Sequence, residues 1–554
     1  MGVSVAALPL IRRRAADSLA AALLVAFVAG LYLPRQAATV LIDHDDVISV
    51  IAATCNQLRY AGAEQYGHWV AAADWQQYWH MRSFGCFSAI ADGLVQTDIH
   101  PPLYFWLLHI WLHLFGVSIF AGLSLNLVFV SVTAVVIYAT SRVLGVGQRP
   151  AFVVTLAWIV SLSTRTSIGV IRQYSLFTMV AAVLLLVTVL WLRHQHRAYL
   201  MAMAAVILAG LLTHYQFVFP MAAILGAAAL VLWRRQENGA ITHLAGAALI
   251  GGLLFVAVHP HFRQSVQLAH AQAQPFDLRV LPVRIGGSAL NLVQMFNPLD
   301  WAHPLPYGLL DWNRPDLIAI SAVNVVLSVA TFCFVVAVLR RYLRQWRAAD
   351  AIRPTERDVP ILAGIGTVAI VIGLYVAFVS PVHAIGLQYL NFATPMVFVG
   401  IACAWPTRGA VAARRATTSA AAILTTCAVI ATTLFVVHRS EVLPIRTVDH
   451  ADALLLDSYR RGILPTVLWY ARPSTQVYAA TQQDLLQNFP VLPSRSRGEL
   501  MYVNSDAFGN SGRNRAAILN KLHQQGYAGG SKLPTGPVPL LPFGGTVYVF
   551  APTG

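Results

Sequence analysis

Apolar and polar positions alternate along this chain on the scale of whole membrane spans, not of single turns. Apolar runs recur near 15–33, 119–141, 151–169, 174–192, 198–216, 217–233, 243–259, 317–339, 359–380, 389–405 and 418–438. Most approach the ~20 residues that a helix needs to cross hydrocarbon. The polar breaks between alternate runs are rich in arginine: Arg142 and Arg149, Arg193 to Arg197, Arg234 and Arg235, Arg340 to Arg357, then Arg408, Arg414 and Arg415. With about eleven spans, every cluster falls on the same side as Arg12 to Arg14, and the positive-inside rule makes that side cytoplasmic. The run after "IRRR" has the flavour of a signal peptide, but no small-residue cleavage site precedes "PRQ", so it reads as a retained first span with a cytoplasmic N-terminus.

One apolar run breaks the alternation. "PPLYFWLLHIWLHLFG", 101–116, is short for a span, and counting it would move every later arginine cluster outside. It is expected to be an interfacial helix with Trp106, Trp111, His109 and His113 at headgroup depth. The first outer loop then runs from about 34 to 118, and further outer features are "TRTSIGVIRQY", "THYQF", a long loop near 260–316 and "SPVHAIGLQY". Beyond the last span, strand-like "STQVYAAT", "ELMYVNS" and "TVYVFAP" alternate with helix-like "QQDLLQNF" and "NRAAILNKLHQQGY". The expected fold is a polytopic α-helical membrane protein, residues 1–438, followed by an extracytoplasmic α/β domain, residues 439–554.

Composition agrees: 57% of residues are hydrophobic and 11% charged. The formal charge of +15 would suggest nucleic acid in a soluble protein, but no basic face or motif accompanies it, so no nucleic acid is expected. High Ala, Arg and Trp content suggests a GC-rich bacterial genome, a bacterial inner membrane and a periplasmic outer face. Cys333, Cys403 and Cys427 fall in spans and read as packing residues. Cys55 and Cys86 share the first outer loop, where a disulfide and two buried thiols are both open.

In so oily a chain the outward "LIDHDD", with Asp43, Asp45 and Asp46, stands out. Acidic loop residues are commonly solvated, and Asp45 or Asp46 can simply cap a helix. Its company changes the weighing. "DD" after the first span, then "TDIHPPLY" and "LFG" some fifty residues on, resembles the bacterial GT-C glycosyltransferases, among them the protein O-mannosyltransferase-like and lipid A aminoarabinose transferase-like enzymes. "IRQYSLFTMVAAVLLL" resembles the family's Arg-x-Tyr entry to a span, "LLTHYQFVFP" its His-Tyr motif, and "LQYLNFATP" its late Arg-Tyr segment, with Gln388 in place of Arg. The resemblance covers residues from about 15 to 405.

That resemblance implies a GT-C fold and an inverting enzyme. The enzyme would move a sugar from a polyprenyl-phosphate carrier to a glycan, lipid or protein acceptor on the periplasmic side. Inverting attack needs a base for the acceptor proton, and cations for the departing phosphate. The family's catalytic Asp falls on Asp45, and Asp46 takes the position of its usual Glu. Asp98, His100, Arg165, Arg172, Tyr174, His214, Tyr215, Gln388 and Tyr389 are then the candidates for substrate and lipid-phosphate binding. Each has a plainer reading: Asp98, Pro101 and Pro102 as a helix start, Arg165 and Arg172 as snorkelling cations, His214 and Tyr215 as an interfacial pair. Arg263 or Arg279 would compensate for Gln388.

The reaction requires no cofactor. Some relatives bind a divalent metal, but His259, His261, His270 and His303 lack a fixed carboxylate partner and form a weak zinc signal. Two other classes remain open: a flippase or transporter of lipid-linked glycans, which predicts internal repeats and mid-membrane charges that the sequence does not show, and an envelope-assembly scaffold.

Overall fold

The computed structural model describes residues 7–39, 42, 44–272, 278–298, 315–348, 355–377, 387–405, 410–438, 448, 450–457, 463–492, 499–505, 512–527, 530–532 and 545–550. Asp43, His303, the side chain of His270 and most of "SPVHAIGLQY" lie outside them.

Every apolar run expected from the sequence lies on helix. Among the described residues six helices are long and apolar enough to cross a membrane: Ala15–Ala38, Ile119–Val143, Tyr174–His194, Tyr215–Arg234, Asn238–Val258 and Ala322–Arg344. The shorter apolar helices are Leu103–Phe115, Arg197–Thr213, Val359–Gly373, Asn391–Ala404 and Thr417–Thr433. The protein is a multi-pass helical membrane protein. Tyr174–His194 is its central helix, apolar nearly all round and buried over most of its length, as a helix without a polar face must be.

The run expected at 151–169 is broken rather than continuous. Gln148–Val160 and Leu162–Ile168 meet at an angle of 55°, with no glycine or proline at the joint. Ser161 stands extended between them, its hydroxyl donating to Trp158 O (2.7 Å) and accepting from Thr164 N (3.4 Å). The break frees amides that hydrocarbon cannot satisfy, and carbonyls from far along the chain take them. Leu162 N donates to Asn297 O (2.9 Å) and Ser163 N to Met295 O (3.2 Å).

The long outer loop expected near 260–316 is largely helical where described, with helices Phe262–Gln272 and Leu281–Gln294. In the first outer segment, Cys55 and Cys86 form a disulfide across 31 residues. The buried His109 sits against it, Nδ1 donating to Ala53 O (2.7 Å) and Nε2 accepting from Gly85 N (3.3 Å).

The six strands are β1 (Trp69–Ala71), β2 (Ala453–Leu456), β3 (Gln476–Ala479), β4 (Leu500–Ser505), β5 (Ser531–Lys532) and β6 (Gly545–Phe550). They form one sheet in the order β1-β3-β2-β4-β6-β5, with β2 parallel to both β3 and β4. Its edge strand β1 comes from the first outer segment, pairing Trp69 with Tyr478. Trp69 Nε1 also donates to Val491 O (2.9 Å), and Trp79 stacks on Trp469 (5.8 Å).

Replacing Cys55 and Cys86 by serine removes the constraint of a 31-residue separation, worth about 3–4 kcal/mol by loop entropy. The thermal midpoint in detergent is expected to fall, and reductant to lower wild type but not the double variant.

Candidate active site

The site begins where helix His44–Ala53 meets the chain entering Tyr174–His194. Asp45 and Asp46 occupy the first turn of the former, where the exposed amides of a helix start favour negative charge. Asp46 is buried, and its Oδ1 accepts from Ile171 N at 2.7 Å. Asp45 Oδ2 lies 3.6 Å from Arg172 Nη2, with the arginine side chain 7% exposed and the aspartate 49%. Arg172 Nη1 donates to Ser49 Oγ (3.3 Å) and Asp45 O (3.5 Å). Two consecutive acids thus grip two consecutive residues of the facing segment. His44 Nδ1 donates to Asp45 Oδ1 at 3.1 Å.

Asp98 ends helix Phe87–Thr97 and does not start the next, which begins after Pro101 and Pro102 at Leu103. Its Oδ1 accepts from Ile99 N (2.6 Å) and from His100 Nδ1 (2.5 Å). The His100 ring lies 5.7 Å from that of His214, which stacks on Phe177 at 5.1 Å. Tyr174 meets His214 at 6.5 Å and Tyr389 edge-on at 6.0 Å. The structure therefore gathers Asp45, Asp46, Asp98, His100, Arg172, Tyr174, His214 and Tyr389, with Gln388 beside Tyr389 on the turn Leu387–Tyr389.

Arg165 and Tyr215 have hydrogen-bond partners outside this cluster. Arg165 is buried and donates to Pro298 O (3.2 Å) and Asn297 O (3.1 Å), bracing the broken span. Tyr215 pairs with His259 Nε2 at 2.9 Å. Arg263 is exposed on helix Phe262–Gln272 and Arg279 on the turn before Leu281.

The electrostatics follow from the packing. The Arg172 guanidinium, chiefly, holds the Asp45 carboxyl well below the usual carboxylate range, against the opposing effect of burial and with help from His44 and His100. For Asp98, burial is the largest influence and raises the value. The charge and hydrogen bond of His100, with Arg172 and the Ile99 amide, outweigh it and bring Asp98 to about 2. Burial lowers Arg172, but Asp45 and its neighbours push it above its ordinary value. Among the described residues, two donors of the cluster are buried without a hydrogen-bond partner: Arg172 Nε, and Nε2 of His214, whose Nδ1 accepts from Gln216 N.

Two supporting residues carried no signal in the sequence because they sit within an ordinary apolar span. Asn126 donates to Val170 O. Gly122 lets the same segment come close, since a Cβ there would lie 2.5 Å from Ile171 Cδ1.

As a metal centre the described residues offer one grouping of three ligands, Cys55, Cys86 and His109. Its sulfurs are joined to each other and both imidazole nitrogens serve backbone groups, so it does not fit an ion. His259 is spent on Tyr215, and His261 is exposed.

Residues 99–261 match the family model for dolichyl-phosphate-mannose-protein mannosyltransferases. That stretch holds "HPPLY", "IRQY" and "THY", three of the motifs on which the resemblance to GT-C glycosyltransferases rests; the acidic pair Asp45 and Asp46, with Asp98, Gln388 and Tyr389, lies outside it. Among solved structures the chain is similar to ArnT from Cupriavidus metallidurans in the apo state, at 12% identity over 95% of this chain and 97% of that one, with a TM-score of 0.48. The same protein bound to undecaprenyl phosphate aligns at 12% identity with the same coverage and a TM-score of 0.49. No curated protein sequence matches the chain.

Two outcomes test this geometry. Asp46→Ala leaves the Ile171 amide without its acceptor and is expected to cost about 1–3 kcal/mol, read as a lower unfolding midpoint, whereas Asp46→Asn keeps an acceptor oxygen and most of the stability. For Asp98, a folded value of about 2 against 3.8 means a contribution present above pH ~4 and lost as pH falls towards 2. Asp98→Asn should therefore be less stable than wild type near neutrality, with the gap closing in acid.

Proposed function

We propose that this protein is an integral-membrane inverting glycosyltransferase. It takes a sugar from a polyprenyl-phosphate carrier and gives it to a glycan, lipid or protein acceptor at the periplasmic face of a bacterial inner membrane. In this reading residues 1–438 form the catalytic module and residues 439–554 a periplasmic domain. The observation that carries it is the pairing of a buried arginine, its Nε still without a partner, with a half-exposed carboxylate. Beside them stands a buried histidine nitrogen that also has no partner. Such a pocket suits an anion that enters from the lipid side while its reacting carbon faces water.

The chemistry follows from an exchange of partners. Unliganded, Asp45 is a weak base because Arg172 holds its proton affinity low. When the carrier phosphate takes Arg172, that influence is spent on the phosphate, and Asp45 becomes a better proton acceptor. The acceptor hydroxyl oxygen then attacks the anomeric carbon from the face opposite the phosphate, and its proton passes to the Asp45 carboxylate. The carbon–oxygen bond to phosphate breaks with its electron pair, leaving polyprenyl phosphate with one more negative charge than the donor had. Arg172, with His100 and His214, stabilises that added charge. Asp46 and Asp98 act as positioning residues, the first on segment 171–172 and the second on His100.

The broken span is the feature that would favour a transporter, but the Leu162 and Ser163 amides it frees are taken by carbonyls of residues 297 and 295 and are not left for an anionic substrate group.

Sugar transfer by the purified protein from a panel of polyprenyl-phosphate sugars decides the matter. Asp45→Asn is expected to reduce turnover by about 10²–10⁴-fold while the carrier still binds, and Arg172→Gln to weaken carrier binding. Wild-type turnover by the Asp45→Asn variant would overturn the proposal.

A further inference from the structure

The helix Leu281–Gln294 is built inside out. Its exposed large side chains are Val283, Ile285 and Leu290, whereas Arg284, Ser288 and Gln294 are buried. Arg284 and Ser288, one turn apart, share the face turned inward, and the helix packs against Pro315–Ala348 and Val359–Ala377. An apolar outside and a polar inside are what a helix shows when hydrocarbon lies on one side and a polar cleft on the other.

Ser288 uses its hydroxyl on its own helix, donating to Arg284 O at 2.6 Å. Arg284 has no such outlet. Its side chain is buried, the residue only 3% exposed, and its Nε is without a partner. Among the described residues the guanidinium forms no ion pair and donates no hydrogen bond. Taking a cation out of water without a counter-charge is among the costliest things a fold can do. A guanidinium recovers that cost best against a planar or tetrahedral oxyanion.

We propose that Arg284 is the headgroup anchor of a second anion site, which takes a phosphate carried on a lipid. The phosphate would enter sideways between this helix and its neighbours. The lipid is favoured over a free ion by the surface beside the arginine: Leu278, Val283, Ile285 and Leu290 are uncovered and offer a wall for an acyl or prenyl chain. The site is on an element separate from the Asp45 cluster, and it stands whether or not that cluster transfers sugar.

The test uses the full-length protein, delipidated in detergent, and reads its thermal midpoint and the lipids it retains in native mass spectrometry. The probes are phosphatidylglycerol, inorganic phosphate and a diacylglycerol that lacks phosphate. Phosphatidylglycerol is expected to raise the midpoint of wild type and to remain bound, with Arg284→Gln losing one bound lipid and binding at least tenfold more weakly. Without lipid, Arg284→Gln is expected to be as stable as wild type or more so, because it has lost an unpaired buried charge. Diacylglycerol is expected to do nothing. Three results would overturn the proposal: an equal phosphatidylglycerol shift in the variant, a full shift produced by inorganic phosphate alone, or an Arg284→Gln protein destabilised in the absence of lipid.

Discussion

The arrangement of the acidic cluster depends on how the Arg172 guanidinium is kept out of water. It sits just before the central helix, with its side chain 7% exposed, and a cation so placed must be surrounded by acceptors. Asp45, the hydroxyl of Ser49 and the carbonyl of Asp45 supply them, all from the first turns of one short helix. The fold must therefore bring helix His44–Ala53 against residue 172 and hold it there. Asp46 on the Ile171 amide, Asn126 on the Val170 carbonyl and the missing side chain of Gly122 do this from two directions. Asp45 itself stays half exposed, so this is not a fully desolvated pair. It is strong enough to organise the segment and open enough to be exchanged for another anion.

The far end of the same short helix is held just as firmly, and from further away. His109 takes the Ala53 carbonyl, and Thr54 donates to the carbonyl of Tyr78 (3.1 Å). The disulfide ties Cys55 to the head of Phe87–Thr97, the helix that ends in Asp98. Beyond them β1 joins the sheet of the C-terminal region, and Gln76 donates to Leu468 O (3.1 Å) and Ala471 O (2.8 Å). Functional groups on short helices are only as well placed as the elements behind them. Here a sheet assembled mostly from residues beyond 450 stands behind a carboxylate at residue 45.

The parts of this that the sequence discloses are those with a local cause. Apolar length specifies the helices, and the rarity of acids in an oily chain picks out Asp45 and Asp46. The motif residues at 98, 100, 172, 174, 214 and 389 do meet, because each stands at the end of a helix or in the connection next to it. What the sequence hides is made by partners distant along the chain. Ser161 breaks a span that has no glycine or proline at the joint, and carbonyls at 295 and 297 accept the freed amides. Strand β1 is three residues long and is a strand only because β3 lies beside it. The segment 281–294 reads as loop, since Pro282, Gly286 and Gly287 interrupt it; it is helix where it packs against Pro315–Ala348 and Val359–Ala377. Arg165 and Arg172 are both candidate cations in the sequence, only Arg172 standing in the Arg-x-Tyr motif, and they end in different surroundings.

That difference between arginines separates scaffold from chemistry. Arg165 gives two of its donors to the carbonyls of Asn297 and Pro298. These are backbone groups that cannot leave, so they fix the broken span in place. Arg172 is held by a side chain that is half in water and can be solvated when it lets go, so an arriving phosphate can take its place. A carbonyl-bound guanidinium is a brace, and a carboxylate-bound one at a solvent boundary is a binding site held in reserve. Its carboxylate partner is the group whose proton affinity the exchange would raise. On the proposed function, anion binding and the gain of a base are two consequences of one event, and that reading gives a reason for an acid beside Arg172 in so apolar a chain.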